Sequence, residues 1–309
     1  MISLIAPFYN EESVVHKFFS RVIPILDSLG HPYEIVCVND GSKDATLSIL
    51  LEYAAQNSSI TIIDLSRNFG KEAALTAALD HASGEAIIPI DCDLQDPPEL
   101  IPSMVKLWME GAEVVLARRS DRVSDSWCKR TSATLFYKFH NKISESHLPE
   151  NVGDFRLMDR AVVDVVRSLP ENSRFLKGIF AWAGFTAVTI DYERGPRAAG
   201  DSKFNGWKLW NFAIEGITSF STVPLRVWLY IGTFVALLSV IYAFIIVAKT
   251  IFFGIRLPGY ASIITSILFL GGIQLIGLGV LGEYIGRIYM ETKRRPTYVV
   301  RKIFTKSQS

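Results

Sequence analysis

Five short apolar runs, Ile2–Ala6, Glu34–Val38, Ile60–Leu65, Ala86–Ile90 and Val114–Ala117, alternate with amphipathic segments near 11–29, 43–56, 71–81 and 98–110. Runs that are apolar at most positions, rather than at every second residue, suit strands covered on both faces, and the helices between them supply the cover. The stretch from residue 2 to about 117 therefore predicts an α/β domain built on a mainly parallel sheet. No G-x-G-x-x-G and no G-x-x-x-x-G-K-[ST] occurs, which removes the support for a dinucleotide fingerprint or a P-loop.

Each strand runs into polar residues. The first ends in Pro7-Phe8-Tyr9-Asn10-Glu11-Glu12, the second in Asn39-Asp40-Gly41-Ser42-Lys43-Asp44, and the third in Ser66-Arg67-Asn68-Phe69-Gly70-Lys71-Glu72. The fourth ends in the acidic loop Asp91-Cys92-Asp93-Leu94-Gln95-Asp96-Pro97-Pro98. Taken singly, each is an ordinary helix start: Asp40-Gly41-Ser42 makes a good turn, and Asn10 or Ser42 can cap a helix. A parallel sheet, however, brings all four to one edge, where open α/β sheets bind ligands. Asp91 and Asp93 lie two apart, so a bend can turn both toward a hard cation such as Mg²⁺ or Mn²⁺. The same spacing also suits a solvated turn at the start of the next helix.

In order and spacing, these four motifs resemble those of family 2 glycosyltransferases with the GT-A fold. The resemblance is to the branch that moves a sugar from a nucleotide donor to polyprenyl phosphate, which includes dolichyl-phosphate mannose synthases and bacterial undecaprenyl-phosphate glucosyltransferases. It implies that Pro7, Tyr9, Glu11 and Asp40 hold the nucleoside, with Lys71 and Asp91 beside it. It further implies that Asp93 and Gln95 ligate the Mg²⁺ or Mn²⁺ bridging the donor diphosphate. Gly153-Asp154-Phe155-Arg156 falls where the family places an acidic residue facing the acceptor, which makes Asp154 the catalytic candidate; a structural salt bridge from Asp154 to Arg156 or Arg160 is the alternative. In Arg194-Gly195-Pro196-Arg197-Ala198-Ala199-Gly200-Asp201-Ser202-Lys203-Phe204, small residues beside cationic and hydroxyl donors suit a loop closing over phosphate oxygens. By resemblance, Arg197, Ser202 and Lys203 are phosphate ligands. Arg118 and Arg130 are candidates for the acceptor phosphate, or members of a solvated basic face.

The second half is a different material. Gly206–Val223 is amphipathic and aromatic, as residues at a membrane interface are. Val227–Ala248 then runs 22 residues without a charge, about 33 Å as a helix and enough to cross a bilayer. A second span runs from about Ser262 to Gly282, and its Gly282-x-x-x-Gly286 permits close helix packing. Arg287, Lys293, Arg294, Arg295, Arg301, Lys302 and Lys306 outnumber the bases of the intervening loop, so the positive-inside rule places the tail in the cytoplasm. Two spans return the N-terminal domain to the same side, consistent with a start lacking a basic n-region. The expected order is a cytoplasmic GT-A domain over 1–204 and a juxtamembrane segment over 205–225. Two transmembrane helices (about 227–248 and 262–283) within 226–286 and a basic tail over 287–309 complete it.

Composition excludes several rivals. With 32 basic and 31 acidic residues and a net charge of +1, nothing points to nucleic acid. Three widely spaced cysteines, Cys37, Cys92 and Cys128, form no disulfide framework or zinc site. The expected reaction is inverting transfer of a sugar, glucose from UDP-glucose as the first choice, to undecaprenyl phosphate at the cytoplasmic face of the inner membrane. A modified pentose, N-acetylhexosamine or mannose donor is an alternative, as is a lipid-hydroxyl acceptor such as diacylglycerol. A rival of another class is a catalytically silent scaffold that binds nucleotide sugars. A separate flippase and a homo-oligomeric state are the partner expectations.

Overall fold

A computed structural model of the chain describes residues 1–120, 152–171, 174, 176–192, 223–253 and 259–305. Arg130, Arg197, Ser202, Lys203 and the aromatic segment 206–222 lie outside the described residues. The chain divides into two units, Met1–Gly216 with Arg295–Ser309, and Ile217–Arg294.

In the first unit the predicted alternation is met element by element. Strands β1 (Ile2–Phe8), β2 (Tyr33–Asn39), β3 (Ile60–Leu65), β4 (Ala86–Pro89) and β5 (Val114–Arg119) are separated by helices α1 (Glu12–Ser28), α2 (Thr46–Gln56), α3 (Lys71–His81) and α4 (Ile101–Met109). Leu4, Ile5, Val36, Cys37, Ile62 and Ile63 are all fully buried, so neighbouring residues on one strand, which face opposite sides, are both covered. Burial of that kind is why the runs lack polar alternation. The strands β1–β2, β2–β3 and β1–β4 pair in parallel.

The rest of the unit adds β6 (Val152–Asp159), helices α5 (Arg160–Ser168) and α6 (Leu176–Trp182), β7 (Ala187–Tyr192) and β8 (Val300–Phe304). The sheet order is β7-β5-β6-β4-β1-β2-β3-β8, with β6 antiparallel to β4 and β5 and β8 antiparallel to β3. The chain winds outward from β1 to β3 and then crosses back to β4 on the other side of β1. The carboxyl ends of β1 and β4 thus flank the topological switch point, where such sheets open a crevice.

β8 corrects the expectation of a basic tail over 287–309. Val300–Phe304 is the edge strand of the N-terminal sheet. The Ser66 amide donates to Val299 O at 2.9 Å, and the Tyr298 hydroxyl donates to Asp80 at 2.9 Å. Arg301 and Lys302 are strand residues, not free tail charges.

The second unit contains two long helices, α7 (Val223–Phe253) and α8 (Tyr260–Thr292), each longer than the span read from sequence. Among the described residues one segment, Phe269–Thr292, is long and apolar enough to cross a membrane. Of the glycines on α8, Gly277 faces α7, where a Cβ would touch the Trp228 ring at 3.5 Å, while one on Gly282 or Gly286 would meet nothing within 4 Å.

Candidate active site

The polar strand ends are cross-braced. The Asn10 amide donates to Ser42 Oγ at 3.0 Å and Lys43 N to Asn10 Oδ1 at 2.8 Å. Glu12 N donates to Asp44 Oδ2 at 3.2 Å, while Ala45 N donates to Glu12 Oε2 at 2.9 Å. The helix starts that sequence assigns to Asn10 or Ser42 are therefore satisfied crosswise: the acidic residue of one loop caps the helix of the other. These loops are rigid because each closes the orphan N–H groups of its neighbour.

Asp40 carries the bracing to β3. Its carboxylate accepts from Phe69 N at 2.7 Å and Gly70 N at 2.9 Å, fixing the loop just before Lys71. Burial pushes its pKa up, partly offset by those two amides and by Arg67. Both oxygens are thus engaged by protein, and Asp40 positions a loop rather than offering a bare carboxylate. Gly41 is required here. Its φ is +65°, and a Cβ would lie 2.5 Å from the Arg67 carbonyl carbon and 2.6 Å from Asn68 N. Gly41→Ala is expected to cost about 2–3 kcal/mol, from left-handed strain and backbone overlap. A melt of the purified protein should show Tm lowered by roughly 4–12 °C.

Between these ends opens a cavity of about 500 Å³, lined by Tyr9, Asn39, Gly41, Ser42, Lys43, Leu47, Asp64, Ser66, Arg67, Asn68 and Arg301. Asp64, nearly fully buried, accepts from Asn39 Nδ2 at 2.7 Å and from Arg301 Nη1 at 3.4 Å. Of the residues assigned to the nucleoside from sequence, Tyr9 lines this cavity. Lys43, Arg67 and Arg301 also line it; sequence assigns them no place at the site, although Lys43 and Arg67 stand in the quoted motifs.

Across β1 sits a charged cluster. Lys71 Nζ lies 2.6 Å from an Asp91 carboxylate oxygen and 2.6 Å from Asp154 Oδ2, and Lys177 Nζ lies 3.7 Å from Asp154 Oδ1. Three residues far apart in sequence are thereby gathered, two of them singled out from the motifs and the third from the position of Asp154. Of the alternative partners of Asp154, Arg156 donates to Gly153 O while its charge still acts on Asp154, and Arg160 donates to the carbonyls of Ala82 and Gly84. Burial works against the charge on Asp154, but the ammonium groups of Lys177 and Lys71 outweigh it and hold its pKa well below the usual carboxylate range. Burial likewise opposes the charge on Lys71, yet Asp154 and Asp91 raise its pKa. Glu72, accepting from Leu176 N at 3.3 Å, is pushed up to about 7 by burial and by the nearby Asp154. Lys177 and Glu72 had no assigned role, because only the folded positions of α6 and α3 bring them to Asp154.

The acidic loop bends sharply. Leu94 is buried with φ +55°, uncommon for a residue with a bulky side chain, and Gln95 N donates to Asp93 Oδ1 at 3.1 Å. Gln95 Oε1 is buried and has no hydrogen-bond partner among the described residues. A buried amide oxygen without a partner, and the carboxylate of Asp93 two residues before it, are both ligand types that suit a hard cation. No cluster of three or more His, Cys, Asp or Glu that could hold a metal occurs among the described residues. Asp96, by contrast, accepts from the Tyr192 hydroxyl and faces Arg119 at 3.9 Å, a structural tie to β7. Arg118 is held by both oxygens of Asp191, at 2.6 and 2.9 Å, so its charge is already answered.

Residues 3–167 match the family model described as Glycosyl transferase family 2, and residues 223–288 match a GtrB C-terminal hairpin. The chain is 55% identical to the SfII prophage-derived bactoprenol glucosyl transferase of Shigella flexneri, over 97% of each chain. It is 54% identical to the prophage bactoprenol glucosyl transferase homolog of Escherichia coli (strain K12), over 98% of this chain and 99% of the relative. Among solved structures, glucosyl-3-phosphoglycerate synthase of Mycobacterium tuberculosis in complex with Mn²⁺, UDP-glucose and phosphoglyceric acid superposes with a TM-score of 0.50 at 17% identity. That likeness covers 71% of this chain and 77% of the other, and is one of fold.

Proposed function

The chain belongs to glycosyltransferase family 2, and on that premise we propose that it transfers glucose from UDP-glucose to a polyprenyl phosphate, with inversion, at the cytoplasmic face of a membrane. The observation that carries the reading is the pairing of two sites across β1: a cavity of nucleoside size at the ends of β2 and β3, and the Lys71–Asp91–Asp154 cluster beside the acidic loop. The two bactoprenol relatives, matched along nearly the full length, support the glucosyl and lipid-phosphate choices.

In this reading the nucleoside occupies the cavity against Tyr9, which lines it, and Pro7, Glu11 and Asp40, which do not, keep the nucleoside assignment that the family resemblance gives them. The diphosphate turns toward Asp93 and Gln95. A bound Mg²⁺ or Mn²⁺ would stabilise charge growing on the leaving diphosphate. Arg197, Ser202 and Lys203 are assigned to the same oxygens. Asp154 orients the acceptor phosphate together with Lys71 and Lys177. A phosphate with a second pKa of roughly 6 is already largely ionised near neutrality, so Asp154 acts by orientation more than as a strong base.

Membrane attachment rests on α7 and α8. Phe234, Leu237, Phe244, Leu275 and Leu278 are exposed along both helices, as lipid-facing residues are. The strand pairing adds a topological argument. The chain leaves the first unit before Ile217 and re-enters it at Arg295 to form β8, so it must cross a bilayer an even number of times. Two spans meet that condition and keep catalytic domain and C-terminus on one side, the side on which the tail bases favour the cytoplasm. With two spans per chain, a homo-oligomer would build the membrane part and a separate flippase would move the product.

A panel of labelled nucleotide sugars with undecaprenyl phosphate tests the reading. UDP-glucose is expected to give a mobile lipid product at a rate at least tenfold above UDP-N-acetylglucosamine or GDP-mannose, since one added or missing group in a fitted pocket is worth about 10–200-fold. Equal rates on diacylglycerol, or donor binding without turnover, would favour the lipid-hydroxyl or scaffold alternatives.

A further inference from the structure

The last strand of the first unit is left without a purpose by the reading above. Within one sheet, β8 pairs with β3, and Arg301 reaches Ser66, just past β3, at a sequence separation of 235. Arg301 donates from Nη2 to Ser66 O at 2.7 Å and from Nη1 to Asp64 at 3.4 Å, and Asp64 in turn holds Asn39. Arg301 is thus a fixed end of a chain of polar groups running beneath the strand ends. Its side chain is still 60% exposed, and it forms part of the cavity wall with Tyr9 and Arg67.

We propose that Arg301 is a nucleoside-binding residue, so that the strand following the membrane helices completes the donor pocket. The proposal rests on the donor reading given above. The strand order argues for the base rather than the diphosphate. The acidic loop follows β4, and β8 lies four strand spacings away in the order β4-β1-β2-β3-β8, about 19 Å at about 4.8 Å each. A diphosphate held near Asp93 and Gln95 directs ribose and base across β1 toward β2 and β3, where a guanidinium reaching in from β8 meets the base. Asp64 already answers the Arg301 charge, so the remaining N–H groups suit neutral acceptors, and a pyrimidine base with two carbonyl oxygens offers them. A donor-only group facing a carbonyl edge also discriminates, because a base presenting an amino group there would set donor against donor.

The test uses the full chain in detergent and equilibrium binding of UDP, UMP and uridine. Arg301→Ala is expected to weaken all three by a similar factor, roughly tenfold or more, as for loss of a bond to a charged group. Turnover at saturating donor should hold while the donor KM rises, the pattern of a contact made equally in ground and transition state. Tyr298→Phe removes the bond to Asp80 from the segment leading into that strand, away from the cavity, and should lower Tm with nucleotide affinity kept. Arg301→Lys, which keeps the charge but not the fork, should recover only part of the affinity. Unchanged affinity in Arg301→Ala overturns the proposal. So does a loss confined to UDP and absent for uridine, or a loss that follows a fall in Tm. If the wild-type protein prefers another nucleotide, the UDP-glucose reading falls, and the same variant measured with that nucleotide decides Arg301. Wild-type protein that binds no nucleotide overturns both.

Discussion

Stripping divalent cations from the purified protein is expected to abolish glycosyl transfer, and Asp93→Asn to lower it roughly 10³-fold even with cation in excess. The size follows from the several kcal/mol that a cation contributes to a transition state in which charge grows on the leaving diphosphate, each 1.36 kcal/mol being tenfold. The loop is built for such a group. A left-handed Leu94 bends the chain between Asp93 and Gln95, whose backbone amide donates to Asp93 Oδ1, and Gln95 Oε1 is buried with no hydrogen-bond partner among the described residues. An oxygen left in that state costs about 1–3 kcal/mol, a cost that coordination would offset. A cation held by Asp93 and Gln95 would also draw on the diphosphate, since Mg²⁺ is usually bound by one or two carboxylates together with substrate phosphates. Cation and donor should therefore bind cooperatively: UDP affinity should fall on chelation while uridine affinity stays. Product formation with and without chelator, followed by add-back of Mg²⁺ or Mn²⁺, is the measurement. Turnover unaffected by chelation would sink the assignment.

The sequence was most legible where burial is two-sided. β1 to β4 read as predominantly apolar runs because both faces of each are covered, and the loops after them stand out because polar residues there have no core to enter. β7 and β8 gave no such signal. The β7 stretch Ala187–Tyr192 is largely exposed, and β8, Val300–Phe304, carries Arg301 and Lys302. Edge strands are often short and charged, which blunts aggregation and also hides them from a pattern search. The tail bases were correctly noticed but given one meaning, topology, when Arg301 has a second in the sheet. The charged cluster shows the other limit. Lys71, Asp91 and Asp154 were each singled out, but Lys177 reaches Asp154 only because α6 returns over the strand ends, a long-range consequence of packing.

Asp154→Asn is expected to lower kcat about 10²-fold or more with donor affinity kept within a few-fold. The substitution keeps shape and removes the charge that Lys71 and Lys177 share. Lys71 then turns to Asp91 alone, and Lys177 loses its carboxylate. Linkage separates this from a loss of fold. The pKa of Asp154 is depressed, so its contribution to stability is present above the unfolded value of about 3.9 and is lost only as pH falls through the much lower folded value. Between pH 5 and 8 it stays ionised and adds no inflection to the rate. Glu72 behaves in the opposite sense. Its pKa is raised to about 7, so the native state holds the proton more tightly than the unfolded chain, and stability from this group falls as pH rises from about 4.5 through 7. Glu72→Gln should therefore gain Tm relative to wild type at pH 8 but not at pH 5, and remove any rate inflection near 7 that the acceptor phosphate, with its pKa of roughly 6, does not explain. An Asp154→Asn enzyme with near-normal turnover and well-bound donor would show that the carboxylate neither orients nor tunes the acceptor, and would leave Lys71 and Lys177 to hold the phosphate alone.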